Sequence, residues 1–366
     1  MIYLRRNAIK GIFVYYGSSD SKLRGSDVIQ YKISKKYNCK IIPLSSLSFM
    51  NKFIDKLIIK GKKDNKINST IISKFRWILI NIIWIMQHYF MHPLFLDRKM
   101  IKRINNYDIM ILGSILGASF IKKVIKKPKL IVLDHNVSWL FTYYNLERLF
   151  LIRRILVTLI RKIEIEAINA ADEVWVLTEH DAKILRKDAD NPNKIMIFPI
   201  SDLLEIYDSQ KINIITERSK TLDIYRRLKG KFIIGFIGSL FKPNIIAVRN
   251  IIKIASRLPN NVIFLIIGSV SEAFKNVRVP PNIIFAGYVK DLDAYLALCD
   301  AFINPKTTSD TGMEVKMLDY LKFDKPVIST DVGARGFENF KNVIIVPIDK
   351  MTKVISELCK HKQYNG

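Results

Sequence analysis

The sequence predicts an α/β protein with two doubly wound parallel sheets, and three observations support this fold class. Short apolar runs rich in isoleucine and valine alternate with helical stretches along the whole chain. These runs form two series, which are separated by a polar segment without such runs, residues 202–229. The chain of 366 residues is also long enough for about two domains of roughly 150 residues each. We therefore expect two Rossmann-like domains that face a cleft.

The apolar runs are uniform rather than alternating, which is typical of parallel strands that helices cover on both faces. The first series consists of residues 11–17, 39–45, 107–113, 129–136, 173–178 and 194–200, with helical stretches at 27–37, 147–170 and 179–187. The second series consists of residues 231–238, 261–268, 282–289, 301–305, 326–330 and 342–347. We predict an N-terminal domain, a connecting segment, a C-terminal domain and a final helix that packs back on the N-terminal domain, at residues 1–202, 203–230, 231–350 and 351–366.

Charge is unevenly distributed along the chain. The formal net charge is +26, and residues 1–200 hold 35 basic and 16 acidic side chains, a net charge of +19. The N-terminal half is therefore the part that an anionic surface would attract. Nucleic acid, anionic lipid headgroups and phosphorylated substrates would satisfy this electrostatic pattern equally well, so the charge alone does not choose among them.

Residues 77–96 form the most apolar stretch and contain no Asp, Glu, Lys or Arg. About 20 such residues could reach across a bilayer core. Asn81, Gln87, His88 and Pro93 interrupt the stretch, however. A buried core helix, an interfacial helix and a membrane span all stay open as interpretations, with the span the least favoured.

Several common kinds of site have no support in the sequence. There is neither a GxxxxGK[ST] loop nor a GxGxxG fingerprint, and the five histidines have no metal-ligand spacing. The two Asp-x-Asp triplets, at 188–190 and 291–293, are better explained as a turn and a helix cap than as metal ligands. Three widely separated cysteines and an N-terminus without an apolar signal region favour a reducing compartment.

The strongest functional signal lies in residues 304–336. A strand is followed by a polar loop, and we expect a helix to begin near Gly312. The unpaired N–H groups and the positive dipole end at a helix start favour a phosphate, and Lys316 would add a full positive charge. Asp319, three residues later, could accept hydrogen bonds from ribose hydroxyls. The structural alternative is a capped surface helix with an i, i+3 pair between Lys316 and Asp319.

This segment resembles the donor-site signature of retaining GT-B glycosyltransferases of the family 4 type. In that signature a helix patterned Gly-x-x-x-Lys-x-x-Glu precedes Pro-Val-Ile-Ser-Thr and a Gly-Ala-x-Gly loop. The chain supplies Gly312, Lys316 and Asp319, then PVIST and GARG at 326–330 and 333–336. Upstream, residues 235–248 and 286–305 are similar to the family's first strand-loop-helix and to its approach to the site, so the resemblance covers essentially residues 231–347.

The chain also departs from the family pattern at three places. Asp319 stands where the family usually has Glu, and Thr311 stands where many members carry a second Glu. The loop after the first strand of the C-terminal domain offers only Lys242 to a diphosphate, where members often place both Arg and Lys.

The N-terminal half resembles the family more loosely, through DHN at 134–136 and through residues 170–185. The resemblance implies that His135 faces the transferred sugar and that His135, Lys316 and Asp319 are the catalytic residues. It implies a donor site formed by Gly238, Ser239, Lys242, Gly312, Met313, Lys316, Asp319 and Gly333. It implies an acceptor loop that contains Gly17, Ser18, Ser19 and Arg24.

The reaction that the resemblance implies is transfer of a hexose-type sugar from a UDP- or GDP-sugar to an acceptor hydroxyl, with retention of configuration. No metal and no other cofactor would be required. The expected acceptor is lipid-linked or another saccharide, and the expected setting is an anionic membrane surface on the cytoplasmic side, without a nucleic-acid partner. The alternatives are a GT-B epimerase or hydrolase of nucleotide sugars, and a non-catalytic basic protein that binds membranes or nucleic acid.

Overall fold

The computed structural model describes residues 10–15, 26–43, 78, 82, 85, 98–146, 150–308 and 311–365. The chain divides into two compact units. The first comprises residues 1–203 with 310–312, and the second comprises residues 204–309 with 313–366. The domain boundaries predicted at residues 202, 230 and 350 stay predictions, as does the cleft between the domains.

The first unit alternates strands and helices in chain order. Its elements are β1 (Gly11–Tyr15), α1 (Ser26–Lys36), β2 (Lys40–Pro43), α2 (Arg98–Ile104), β3 (Ile109–Leu112), α3 (Ala118–Val124), β4 (Lys129–Asp134), α4 (Ser138–Asn145), α5 (Phe150–Ala170), β5 (Glu173–Val176), α6 (Glu179–Leu185) and β6 (Ile195–Ile197), with 3-10 turns at Pro192–Lys194 and Ile200–Leu203.

The six strands of this unit form one parallel sheet in the order β2-β1-β3-β4-β5-β6. Side chains of the central strands, such as Leu112 and Val132, are fully buried in one cluster with apolar residues of the covering helices, such as Ile163. Burial on both faces explains why these strands are uniformly apolar.

The second unit repeats the same rhythm. Its elements are α7 (Ser209–Lys220), α8 (Tyr225–Leu228), β7 (Phe232–Ile237), α9 (Lys242–Ala255), β8 (Val262–Ile267), a 3-10 turn (Ser269–Phe274), β9 (Ile283–Gly287), α10 (Leu292–Ala297), β10 (Ala301–Asn304), α11 (Lys316–Leu321), β11 (Val327–Ser329), β12 (Val343–Ile345) and α12 (Ile348–Asn365).

Its sheet is also six-stranded and parallel, in the order β12-β11-β10-β7-β8-β9. The chain runs outward from β7 through β8 to β9 and then crosses to the other side of β7 with β10. The boundary between β7 and β10 is therefore the topological switch point, where sheets of this kind form a crevice at the carboxyl ends of their strands.

The predicted α/β class with two Rossmann-like sheets is confirmed, and all twelve predicted strands are present. In the final helix, Met351, Ile355 and Cys359, spaced at four residues, belong to the core of the second unit. Their spacing forms one apolar stripe along α12. The packing of residues 351–366 on the N-terminal domain stays a prediction.

The stretch 77–96 lies outside the described residues except at three positions. Of these, Ile85 packs against the core of the first unit, whereas Ile82 is exposed. Among the helices that the structure describes, none is both long and apolar enough to cross a membrane.

Candidate functional site

His135 follows β4 at the carboxyl edge of the first sheet, where Gln30 of α1 reaches it. Gln30 Nε2 lies 3.0 Å from His135 Nε2 and donates to the carbonyl of Gly113 at 3.2 Å. Gly113, directly after β3, leaves room for this approach, because a Cβ there would lie 2.5 Å from Gln30 Oε1. Three neighbouring segments therefore hold the imidazole in place.

This contact also assigns the proton on His135. The Gly113 carbonyl can only accept a hydrogen bond, so the Gln30 amide turns its nitrogen, Nε2, toward it. The same nitrogen then donates its second N–H to His135 Nε2. Burial lowers the pKa of His135 to about 4, so the ring is neutral at pH 7 and its proton lies on Nδ1. Within the described part of the chain, His135 Nδ1 is shielded from solvent and has no hydrogen-bond partner.

Two buried carboxyl groups support the segment that follows His135. Glu164 Oε1 of α5 accepts the N–H of Ser138 at 2.6 Å, which fixes the start of α4. Burial raises the pKa of Glu164 to about 7, and burial with the charges of Glu164 and Asp181 raises that of Asp134 well above its usual range. Asp134 Oδ2 and Glu164 Oε2 lack donors among the described residues, and one proton held between them satisfies both oxygens.

A third buried carboxylate, Asp181, connects α6 to residues 311–312. Asp181 Oδ2 accepts the Thr178 hydroxyl at 2.8 Å, while Thr178 Oγ1 caps α6 by accepting the N–H of Asp181. The Asp181 carboxylate also accepts the N–H of Gly312, at 3.0 and 3.3 Å. Gly312 has a φ of 80°, and a Cβ there would lie 2.7 Å from the His135 carbonyl oxygen, so only glycine fits.

The structure places the start of the following helix later in the chain than predicted. The helix expected from Gly312 begins at Lys316, and the N–H of Gly312 is donated to Asp181. The left-handed turn at Gly312 and this non-local bond stop the helix from extending backward. The N–H of Gly312 is therefore occupied by a carboxylate, and the partly buried Met313 precedes the helix rather than opening it.

In the second unit, Lys316 lies near the switch point between β7 and β10. Pairing of these two strands ends at Gly235, and beyond it the N–H of Ile237 is donated to the Tyr320 hydroxyl at 2.8 Å. Tyr320 is fully buried and stacks on Phe302 with 4.6 Å between ring centroids. This bond fixes α11, and with it Lys316, relative to the end of β7.

The loop between β7 and α9 is tightly packed at its glycine. A Cβ on Gly238 would lie 2.9 Å from the ring of Phe236 and 3.2 Å from Asn244 Cβ. Asn244 Nδ2 donates to the carbonyl and hydroxyl oxygens of Ser239, which orients its Oδ1 toward Lys316 Nζ at 2.7 Å. The loop leads directly into the N-terminus of the 14-residue α9, whose first residue, Lys242, is exposed.

Lys316 belongs to a buried charge cluster that also contains Lys306 and Glu314. Lys316 Nζ is 3.2 Å from Glu314 Oε2 and 4.6 Å from the centroid of the Phe236 ring. Lys306 forms an ion pair with the other Glu314 oxygen. Burial by itself would raise the pKa of Glu314, but the charges of Lys316 and Lys306 outweigh it and hold the pKa at about 2. One carboxylate between two ammonium groups leaves a net charge of +1.

Asp319 and Gly333, the remaining predicted donor-site residues, have other partners. Asp319 pairs with Lys322 Nζ at 2.6 Å, so the alternative i, i+3 pair with Lys316 is not formed. Gly333 donates its N–H to Thr330 Oγ1 at 3.1 Å and its carbonyl accepts from Asn304 Nδ2 at 2.9 Å. A Cβ on Gly333 would lie 2.6 Å from the Asn304 carbonyl oxygen. The structure thus groups Gly238, Ser239 and Lys316 through Asn244, and it does not bring Asp319 into that group.

The predicted acceptor residues Gly17, Ser18, Ser19 and Arg24 lie outside the described residues. Across the part of the chain that the structure describes, no group of three or more His, Cys, Asp or Glu side chains could hold a metal ion. The roles predicted for the site residues stay predictions.

Sequence reasoning did not identify Gln30, Asp181, Asn244 and Glu314 as site residues. The sequence does contain a signal for Glu314. It is a charged residue two positions before Lys316 in an otherwise apolar stretch, and this indicates a partner for that lysine. Gln30 had none, since its contact with His135 spans 105 residues of sequence.

Comparison with known proteins gives one family match. Residues 231–361 match the family described as glycosyl transferases group 1. No curated protein matches the chain.

Three solved structures share the fold across nearly the whole chain. Alr3699/HepE from Anabaena, in complex with UDP-glucose, is 12% identical, with a TM-score of 0.60 over 96% of this chain and 90% of that one. The N-terminal domain of trehalose-6-phosphate phosphatase from Candida albicans is 13% identical, with a TM-score of 0.59 over 97% and 90%. WaaG, a glycosyltransferase involved in lipopolysaccharide biosynthesis, is 13% identical, with a TM-score of 0.55 over 96% and 91%.

These likenesses show a GT-B fold with two Rossmann-like domains. The family that matches is one of glycosyltransferases, and the match covers residues 231–361 only.

Proposed function

We propose that this protein transfers a sugar from a nucleoside diphosphate donor, UDP- or GDP-linked, to a lipid-linked or other saccharide acceptor at the cytoplasmic face of a membrane, with retention of anomeric configuration. The observation that supports this best is the ammonium group of Lys316. It lies among Asn244, Glu314 and Phe236, beside the Gly238 loop at the switch point of a glycosyltransferase domain.

A diphosphate suits this place electrostatically. The cluster of Lys306, Glu314 and Lys316 has a net charge of +1, and Lys242 adds a second positive charge at the N-terminus of α9. The positive dipole end at the start of this 14-residue helix favours phosphate oxygens as well. We assign Gly238, Ser239, Lys242 and Lys316 to the diphosphate, with Gly312, Met313, Asp319 and Gly333 in supporting positions.

His135 would bind the transferred sugar. Because Gln30 places the imidazole proton on Nδ1, the ring offers a neutral donor to a sugar hydroxyl. A neutral imidazole also avoids repelling the positive charge that develops on the sugar ring as its bond to the diphosphate breaks. The neighbouring carboxyl groups fix the segment that follows His135 without an ionised pair beside it.

The proposed chemistry breaks the bond between the anomeric carbon and a diphosphate oxygen and forms a bond from the same carbon to the acceptor oxygen. The acceptor proton passes to the departing diphosphate, so no protein nucleophile and no metal is needed. The protein supplies orientation and stabilises the charge that develops on the leaving group.

A nucleotide-binding panel tests the donor site. UDP or GDP should raise the midpoint of thermal unfolding, because a ligand that binds only the native state stabilises it, whereas single-stranded RNA should not. Stabilisation by RNA alone would favour the basic binding protein instead. With the preferred nucleotide sugar and a membrane lipid extract, product NMR should report the donor's anomeric configuration, whereas release of free sugar would indicate a hydrolase.

Lys316→Ala tests the charge assigned to the leaving group. We expect turnover to fall about 10²–10³-fold, because removal of a group that stabilises transition-state charge typically costs this much. Lys341→Ala is the matched control, since the Lys341 side chain is highly exposed and its contact is with Asp324. Thermal unfolding of both variants checks the fold. Turnover of Lys316→Ala equal to that of Lys341→Ala would remove the role.

A further inference from the structure

The first two turns of α5 expose large apolar side chains to solvent. Phe150 is 65% exposed, Leu151 is 72% exposed and Ile155 is 61% exposed. Leu151 and Ile155 are four residues apart, so they lie on one face of the helix, with Phe150 beside them. A cluster of exposed apolar side chains indicates a surface that something covers, since apolar side chains scattered singly would need no explanation.

Two arginines lie within this apolar cluster. Residues 150–162 contain Arg153, Arg154, Arg161 and Lys162 and no acidic residue, and of these Arg161 pairs with Asp188 and Lys162 with Glu166. Arg154 is adjacent to Ile155 and exposed. Arg153 stacks on the ring of Tyr143 from α4, 4.3 Å from its centroid, and Tyr143 is itself exposed. We call Phe150, Leu151, Ile155, Arg154 and Tyr143 the α5 surface.

We propose that the α5 surface docks the protein on an anionic lipid bilayer, with Phe150, Leu151 and Ile155 inserted among the headgroups and Arg154 at the level of the phosphates. This inference rests on the membrane setting of the proposed function and names the part of the chain that provides it. Basic side chains beside exposed apolar ones match a surface that has negative headgroups above an apolar layer.

Lipid fits this surface better than a second protein does. Ile152 is also exposed, and these four apolar side chains together still cover less than the ~800 Å² per partner of a stable protein interface. Reversible insertion into a bilayer needs a smaller apolar area than that. Tyr143 also suits the boundary, because tyrosine places an apolar ring and a polar hydroxyl at the headgroup level. The first 200 residues, with a net charge of +19, attract the same anionic surface at longer range.

Vesicle sedimentation tests the apolar part of the surface. The probes are phosphatidylcholine vesicles with and without phosphatidylglycerol, and the variant is Leu151→Ser with Ile155→Ser. We expect the wild type to bind only the anionic vesicles, and the double variant to bind them at least about tenfold more weakly. Ile206→Ser is the matched control, since Ile206 of the second unit is 60% exposed, next to Glu205, and should bind like the wild type.

Charge reversal tests the basic part. Arg154→Glu should weaken binding to the anionic vesicles about tenfold or more at low salt, and the difference should shrink at high salt, because surface charges are screened. Arg257→Glu is the control, since Arg257 is exposed in the second unit.

Several results would overturn the proposal. These are unchanged vesicle binding by the double variant, and equal wild-type binding to neutral vesicles. A change from dimer to monomer without a change in vesicle binding would assign the surface to a second copy. A lower free energy of unfolding without a change in vesicle binding would assign it to packing within the chain.

A nucleotide control separates this proposal from the proposed function. The double variant should keep the full thermal response to UDP or GDP while it loses vesicle binding. A wild type that binds vesicles through α5 but responds to neither nucleotide would refute the sugar transfer and leave the docking surface in place.

Discussion

The two units bury carboxyl groups near their candidate sites in opposite electrostatic surroundings. In the first unit, Asp134 and Glu164 are buried beside one another, and their pKa values are raised. In the second unit, Glu314 is buried between Lys306 and Lys316, and its pKa is lowered to about 2. Burial favours the neutral form of a carboxyl group, and only nearby cations reverse this. Burial therefore favours the protonated form of the carboxyl groups in the first unit, whereas the second unit holds fixed opposite charges.

The largest effect should follow from removal of the buried Glu314 carboxylate in the second unit. Glu314→Gln should lower the free energy of unfolding by about 3–5 kcal/mol, because it leaves two buried ammonium groups without this carboxylate. Urea unfolding measures the change, and Lys306→Met with Glu314→Gln should recover part of it. The folded pKa of Glu314 is depressed, so the stability it contributes is present above pH 4.5 and is lost as the pH falls toward 2. If Glu314→Gln is as stable as the wild type at pH 7, the Glu314 carboxylate does not stabilise Lys306 and Lys316.

The raised pKa in the first unit predicts the opposite pH dependence. The folded pKa of Glu164 is about 7, against an ordinary value of 4.5, so its stabilising protonation is complete below pH 4.5 and is lost as the pH rises through 7. Glu164→Gln should therefore be more stable than the wild type at pH 8, by about 1–3 kcal/mol, and should approach it at pH 4. Its amide oxygen can still accept the Ser138 N–H.

Urea unfolding at several pH values between 4 and 8 measures this difference, with the exposed Glu179→Gln as the control. Parallel stability curves for Glu164→Gln and the wild type across that range would show that Glu164 is ionised in the folded protein, and the contrast between the two units would then disappear.

The smallest expected effect concerns the imidazole proton. Gln30→Glu places an acceptor where Gln30 donates, so the His135 proton should move to Nε2 and the pKa of His135 should rise. We expect about a tenfold loss of turnover, and nitrogen chemical shifts of His135 should report the tautomer directly. Gln30→Ala, which removes the contact without reversing it, should leave a mixture of the two tautomers. An Nε2 proton already present in the wild type would contradict the assignment.

The sequence predicts the fold well because the strands are buried on both faces, and their apolar runs are a local signal. It predicts less of the site. Lys316 and the Gly238 loop are singled out because they lie in linear motifs, and in the structure Asn244 contacts both. The start of α11 is misplaced because Gly312 turns left-handed and pairs with Asp181, 131 residues earlier. Gln30 and Asn244 are missed for the same reason, since contacts between distant segments leave no pattern in a single sequence.

Tyr320 ends the ladder between β7 and β10 from within the second unit. A pair of adjacent parallel strands would normally continue its ladder to the end, but here a phenol occupies the partner position of Ile237, and β7 and β10 part after Gly235. Burial raises the pKa of the phenol well above the usual range, so its hydroxyl keeps its proton. The point at which the two strands part is therefore fixed by a side chain of the same unit, whatever occupies the space beyond it.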